Sequence, residues 1–557
     1  MDKLRLYIWI ALAAVLYICY MMWQQDYPSP PQVDATSATT APTNSLPALP
    51  GEISSPPTTS ASSSQATSAP PATPTVVSSN AAKVLVRTDV LDLSISTQGG
   101  ELDRADLLKY PTSKEHPEKV VRLLDSTSEN FYVARSGLRS ADEHIAPSHL
   151  AIFSAASDNY ELAAGHDTLT VPLTWTEGSV KVTKSYTLRR GSYVIAIDYK
   201  VENQSQNEWK AASYIQLARH QPIVKASMFN AETYAFLGPA VCDGKSINNL
   251  KLDKEESKHF SASYAGGWFA AMQHHFVTAA VPKADLTYDY QLNVESPQQY
   301  TATYRGPLVN VAAGGTGEFH ETLFVGPKIQ TQLENVAPTL VLTADYGRLK
   351  IVAGPLFWIL AKVHAFIGNW GWSIILVTLF IKAVFYKLTE ASGKSMAKMR
   401  EMAPRLKALQ ERYKDDREQL GRATMEFYKR EKINPLAGCL PTLIQMPVWM
   451  AFYWVILNSA EMRQAPFIGY ISDLSSQDPY FILPIILGIA NFAQFKLNPA
   501  PADPVQAKVM MLMPLVMTGM MAFFPSGLAL YWITNTGLSI AQQWHINRVV
   551  AAGAKKA

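Results

Sequence analysis

The chain has 557 residues, 48% of them apolar, and its 49 basic and 46 acidic side chains leave a formal charge of +3. That balance is too small to indicate a nucleic-acid binder, and no basic run carries the interleaved aromatics of a single-strand platform. Mean hydropathy is −0.01 although long stretches are polar. Apolarity must therefore be concentrated in blocks, the pattern of membrane spans joined to a soluble domain. Of the three cysteines, Cys19 and Cys439 fall in apolar blocks and Cys242 stands alone in the polar part, so they define no disulfide framework.

Residues 4–23 form the first apolar run, preceded by Lys3 and Arg5 and followed by Gln24, Gln25 and Asp26. No small-x-small site follows it, and Leu16-Tyr17-Ile18-Cys19 lacks the small residues of a lipoprotein cleavage box. An uncleaved signal anchor over 1–26 is expected, with its N-terminus in the cytoplasm. Residues 27–82 are Pro, Ser, Thr and Ala with few large apolar side chains, a composition that predicts a disordered tether.

Residues 83–344 read as β structure. Leu91, Leu93 and Ile95 alternate with Asp92, Ser94 and Ser96 ahead of Gly99-Gly100, and Tyr193, Ile195, Ile197, Tyr199 and Val201 alternate after Arg190-Gly191. Period two with turn punctuation over this length predicts a large extracytoplasmic antiparallel β-sandwich with its own core. His274-His275 are placed on a strand, where adjacent side chains point to opposite faces and do not form a joint metal site. Residues 345–369 hold an apolar segment interrupted by Pro355, Lys362 and His364. Counting it as a span would put the basic segment that follows outside, so it is read as an interfacial amphipathic helix on the outer surface.

A five-helix core is expected over 370–545, with spans at about 370–388, 438–457, 480–495, 505–524 and 527–544. The segment 390–434 is dense in Lys and Arg and predicts a cytoplasmic hairpin of two amphipathic helices, broken or capped at Asp415-Asp416. The tail 546–557 is short and mildly basic. By loop charge the fold class is a multi-span α-helical membrane protein: six spans, both termini cytoplasmic, the β-sandwich outside.

Lys382 lies in the apolar run 370–388, at a depth where charge is costly and usually functional. Thr378 sits one turn earlier on the same face, and Gln445, Asn458, Gln494, Thr518, Thr534 and Asn535 could together line a wet cavity. The alternatives are a lysine that snorkels toward Lys387 and polar side chains that merely glue helices. Met446-Pro447, Met450, Met517 and Met520 suit either a surface that accepts many apolar sequences or ordinary packing. HExxH, Walker and nucleophile-elbow patterns are missing, and no cofactor or metal is expected. Two other classes are compatible with this pattern: a secondary transporter of a small solute, and a membrane-anchored carbohydrate-active enzyme carried by the β domain.

Gly368-Asn369-Trp370-Gly371, Ser395-Met396-Ala397-Lys398-Met399, Asn434-Pro435-Leu436-Ala437-Gly438-Cys439 with Gln445-Met446-Pro447, Arg463-Gln464-Ala465-Pro466-Phe467, Asp473-Leu474-Ser475 with Asp478-Pro479-Tyr480, and Phe524-Pro525-Ser526-Gly527-Leu528 stand in order along the chain. With Arg87-Thr88-Asp89-Val90-Leu91-Asp92-Leu93 and Gly266-Gly267-Trp268, they make the whole chain resemble the YidC family of bacterial inner-membrane protein insertases. The resemblance implies a non-enzymatic insertase with a hydrophilic groove open to the cytoplasm and lipid and closed outside. In that family a second-span cation, usually arginine, receives the polar tail of an incoming protein; the matching position here is Lys382. Tyr531 and Trp532 would line the apolar path together with Met446, Pro447, Met450, Met517 and Met520. The implied partners are nascent membrane proteins, the lipid bilayer, the Sec translocon, and the ribosome or signal-recognition-particle pathway through the hairpin.

Overall fold

The structure, a computed structural model, describes residues 81–554 except 115, 128–129, 141–145, 222–234, 345, 347–348, 414–415, 432–439 and 498–503. The expected signal anchor, nearly all of the tether and the Asn434–Cys439 motif lie outside the described residues. The chain divides into a β unit ending at Ala344 and a helical unit from Asp345 onward.

In the β unit, the first sheet runs Ser261–Ala265, Thr287–Ser296, Gln299–Arg305, Trp209–His220, Tyr132–Ser140, Val120–Asp125, Leu102–Pro111, Leu91–Ser96, Lys83–Arg87 and Asn159–Glu161. The second runs Ile247–Asn249, Gly238–Cys242, Trp268–Met272, Phe276–Val281, Thr316–Pro327, Val194–Asn203, Val180–Arg189, Thr168–Glu177 and Ser154–Ala155. The two sheets share one apolar core, which makes a sandwich. Tyr193, Ile195, Ile197, Tyr199 and Val201 are all buried in it, as period two requires. The sandwich departs from the all-antiparallel expectation at one edge, where Lys83–Arg87 pairs in parallel with Asn159–Glu161.

Two buried charged side chains tie the sheets together. Lys184 donates to the carbonyls of Gly99 (2.8 Å), Gly100 (3.3 Å) and Ser136 (3.1 Å), and its burial holds the ammonium well below the ordinary lysine range. Glu321, on the other sheet from Ser213 and Tyr304, accepts a hydrogen bond from each hydroxyl. His274 and His275 differ from their expected placement. They occupy the bend between Trp268–Met272 and Phe276–Val281 rather than a strand, so alternation does not apply and their rings stack at 3.9 Å. No cluster of three or more potential metal ligands occurs among the described residues.

The helices of the second unit are α1 (Lys350–Ile367), α2 (Trp370–Val384), α3 (Tyr386–Glu401), α4 (Ala403–Arg412), α5 (Arg417–Arg430), α6 (Leu440–Asn458), α7 (Ile482–Leu497), α8 (Pro504–Met521) and α9 (Ser526–Ala554). α9 packs against α2, α3, α6 and α7, and α1 packs against α2 and α6. Ile374 and Val377 of α2, Phe452 and Val455 of α6, and Leu528 and Tyr531 of α9 form the centre of the core. Among the described residues no single helix is long and apolar enough to cross a membrane; α2 and α3 pass that test together but bend by 67° at their junction. The expected span 370–388 therefore divides at Phe385, which caps α2. The expected span 527–544 continues as one helix to Ala554, since neither Pro nor a terminal Gly stops it. The first arm of the expected hairpin is itself broken at Met402, where Pro404 opens α4, and Asp416 caps α5 by accepting from the backbone N–H groups of Glu418 and Gln419.

Candidate functional site

Gly368-Asn369-Trp370-Gly371 turns the chain from α1 into α2, each residue with its own task. Gly368 ends α1 at φ 73°, a left-handed conformation that favours glycine. Asn369 caps α2 by accepting from Trp372 N–H (3.1 Å) and donates its amide to the Phe467 carbonyl (3.0 Å). Trp370 stacks on His364 with ring centroids 3.9 Å apart. Gly371 leaves room for Phe467: a Cβ there would stand 2.0 Å from its ring.

The same end of the helical unit gathers the Arg463–Phe467, Asp473–Ser475, Asp478–Tyr480 and Phe524–Leu528 motifs. Asp473 accepts from the backbone N–H groups of Gln464 (3.0 Å) and Ser475 (2.8 Å), while Asp478 accepts from Tyr470 Oη (3.2 Å), Tyr480 N–H (3.0 Å) and Leu483 N–H (2.7 Å). The first turn of α9 is tied in as well: Ser526 N–H and Oγ both donate to the Ser476 carbonyl, and Gly527 N–H to that of Leu474. These motifs, which sequence could present only as a series, thus form one hydrogen-bonded cap at the ends of α2, α6 and α9.

Lys382 lies three turns along α2 from Trp370, about 18 Å by helix rise. Its ammonium points inward, donating to Ser539 Oγ of α9 (2.8 Å) and Gln445 Oε1 of α6 (3.4 Å). Gln445 Nε2 donates in turn to Asn535 Oδ1 (2.5 Å), and Ser539 gives its own proton to the Asn535 carbonyl (2.8 Å). Three helices therefore converge on one cation. A small cavity adjoins it, lined by Ile381, Lys382, Phe385, Leu388, Thr389, Ile444 and Gln445.

The other expected site residues divide. Thr378 is buried and spends its hydroxyl on the Ile374 carbonyl of its own helix (2.6 Å). Gln494 is half-buried on α7 and makes none of the hydrogen bonds of this cluster. Met446 and Met520 are exposed, whereas Pro447, Met450 and Met517 are half-buried. Tyr531 is 1% exposed and stacks on Phe452 at 4.4 Å, so it sits in the packing core rather than on an open path; Trp532 is half-buried and edge-on to Trp449 at 5.5 Å. Sequence reasoning missed Ser539. Its only signal was one further polar residue on the helix, one turn beyond Asn535.

A charge turned inward between apolar helices is the arrangement expected of an ionisable residue in a membrane-protein bundle. Family models agree: one described as "60Kd inner membrane protein" matches residues 362–553, and one described as "YidC periplasmic domain" matches 83–359. A membrane protein insertase YidC of Thioalkalivibrio sulfidiphilus is 44% identical over 570 residues, and one of Stutzerimonas stutzeri 42% over 573, each covering 100% of both chains. A solved structure titled as an active YidC insertase with its first transmembrane domain resolved aligns at 17% identity over 83% of this chain and 94% of that one, TM-score 0.39. The chain belongs to the YidC family of membrane protein insertases, bacterial inner-membrane proteins with a periplasmic domain. These matches do not favour the solute-transporter reading.

Proposed function

We propose that this insertase receives the polar tail of a nascent membrane protein at Lys382, in a groove open to the cytoplasm and to lipid. The observation that carries the reading is the direction of the ammonium. A snorkelling lysine would aim at the headgroup region marked by Lys387; Lys382 instead bonds Ser539 and Gln445 between helices. Both acceptors are neutral, and among the described residues no carboxylate lies in ion-pair range of it. The positive charge is thus held in place without being compensated, which suits transient capture of an acidic tail.

A tail crossing a bilayer loses solvation for its charges, and a polar recess part-way across shortens the apolar distance. The hydrogen-bonded cap about the Asp473 and Asp478 loops supports closure of the outer end. Exposed Met446 and Met520 would guide the client's apolar segment toward lipid, and burial of that segment would supply the driving force without a nucleotide. In this reading both termini and the segment 390–434 are cytoplasmic, the latter docking ribosome or signal-recognition-particle components, with the Sec translocon as neighbour.

The test is insertion of an acidic-tailed client by Lys382→Arg, Lys382→Glu and Lys382→Ala at matched expression. Arginine should retain activity, glutamate lose it, and alanine fail most for acidic tails. Equal rates for Lys382→Ala and the parent protein would sink the groove-cation reading.

A further inference from the structure

We propose that Ser539 is a positioning residue for the groove cation, holding the Lys382 ammonium on the inner side of α2; the proposal rests on the reading that Lys382 receives client tails. The geometry gives the serine a fixed polarity. Its proton goes to the Asn535 carbonyl one turn earlier (2.8 Å), so only its lone pairs face Lys382 Nζ, also at 2.8 Å. A hydroxyl free to rotate would offer no such fixed acceptor.

The second acceptor is fixed by the same helix. Gln445 Nε2 donates to Asn535 Oδ1 (2.5 Å), which turns Oε1 toward the ammonium at 3.4 Å. Asn535 thereby sets both neighbours of the lysine, one through its backbone and one through its side chain. Of the two contacts the one from Ser539 is shorter by 0.6 Å, and a 3.4 Å contact is at the long end for an N–H···O bond. Ser539 is therefore the principal restraint on a four-carbon stem that would otherwise swing toward the headgroups. Two of the three ammonium hydrogens are engaged, and the third remains for an incoming carboxylate.

A positioning role predicts a charge-selective defect, whereas a packing role predicts a general one. Full-length protein in proteoliposomes should be given two clients that differ only in an acidic or a neutral translocated tail. Ser539→Ala should lower the ratio of acidic-tail to neutral-tail insertion rates by about tenfold, the worth of a hydrogen bond to a charged group. Ser539→Thr, which restores a hydroxyl that can bond back to residue 535, should recover most of that ratio. In a Lys382→Ala background, Ser539→Ala should change the ratio no further. Slowing of both clients alike, no recovery with threonine, or a further fall in the double variant would each overturn the proposal. If Lys382→Ala distinguishes the tails and Ser539→Ala does not, Ser539 alone loses its role; if Lys382→Ala does not distinguish them, the underlying groove reading falls and this inference with it.

Discussion

Glu321 makes the β sandwich a domain whose stability should depend on pH through one carboxyl group. The side chain is 2% exposed, and its two oxygens accept from Ser213 and Tyr304 on the facing sheet. Burial outweighs those donors and the attraction of Lys283 and His320, and raises its pKa from 4.5 to about 7. A folded-state pKa above the unfolded value means the proton is held more tightly in the fold. The contribution is fully present below pH 4.5, falls as the unfolded chain ionises first, and is lost once pH passes about 7. At 1.36 kcal/mol per unit, the shift from 4.5 to about 7 amounts to about 3 kcal/mol. Glu321→Gln keeps the shape, can accept from one hydroxyl and donate to the other, and does not titrate. The comparison is urea unfolding of full-length protein in detergent. Labelling of buried Cys242, read at the peptide level, separates it from Cys19 and Cys439. The stability difference between parent and Glu321→Gln should move by about 3 kcal/mol in favour of the glutamine variant between pH 4.5 and pH 8. A difference that stays constant across that range would refute the reasoning, because desolvation of the carboxylate could then not be the dominant effect.

Deleting residues 83–320 while keeping α1 should leave insertion largely intact, since the sandwich closes its own core; a correctly oriented, stably expressed deletion protein with no insertion activity would contradict this. Removing 392–434 should abolish insertion while the remaining helices stay membrane-integrated, because the charged faces of α4 and α5 are read as a docking surface; normal insertion would return the segment to a solvated hairpin. In the Lys382 series, the drop from arginine to alanine should shrink as salt rises if capture is electrostatic and solvent-accessible, and client crosslinking at matched ionic strengths measures it.

The sandwich was legible because period two is a local signal: Tyr193, Ile195, Ile197, Tyr199 and Val201 announce one buried face without reference to any partner strand. The parallel edge pair was not legible, since Lys83–Arg87 and Asn159–Glu161 reveal nothing of each other's direction in composition. His274-His275 went astray for a related reason: a tight bend among strand-forming residues lacks the Gly or Pro that usually marks one. The kink at Phe385 likewise has neither. Within the candidate site, Lys382 stood out because a charge inside an apolar run is anomalous on its own. Ser539 did not, because its meaning comes from a partner 157 residues away. Polar residues in apolar helices all look alike in sequence; here Thr378 bonds its own helix, Gln445 faces the cation, and Asn535 holds Gln445.

The neutrality of the lysine's partners bears on how such a site could turn over. An aspartate at position 539 would hold the ammonium more firmly, but an arriving carboxylate would then have to displace a buried ion pair, and breaking one costs roughly 3–5 kcal/mol. Hydrogen bonds to a hydroxyl and an amide are each worth about 1.5–3 kcal/mol even to a charged group. A client's carboxylate can add to that arrangement through the remaining ammonium hydrogen without dismantling it. Release is then equally undemanding, because the cation falls back on contacts it never lost. On this argument the site should tolerate Ser539→Thr far better than Ser539→Asp: the acidic variant should preserve the fold and the orientation of Lys382 while failing to capture acidic tails, which separates having a cation in the groove from having one whose charge is still available.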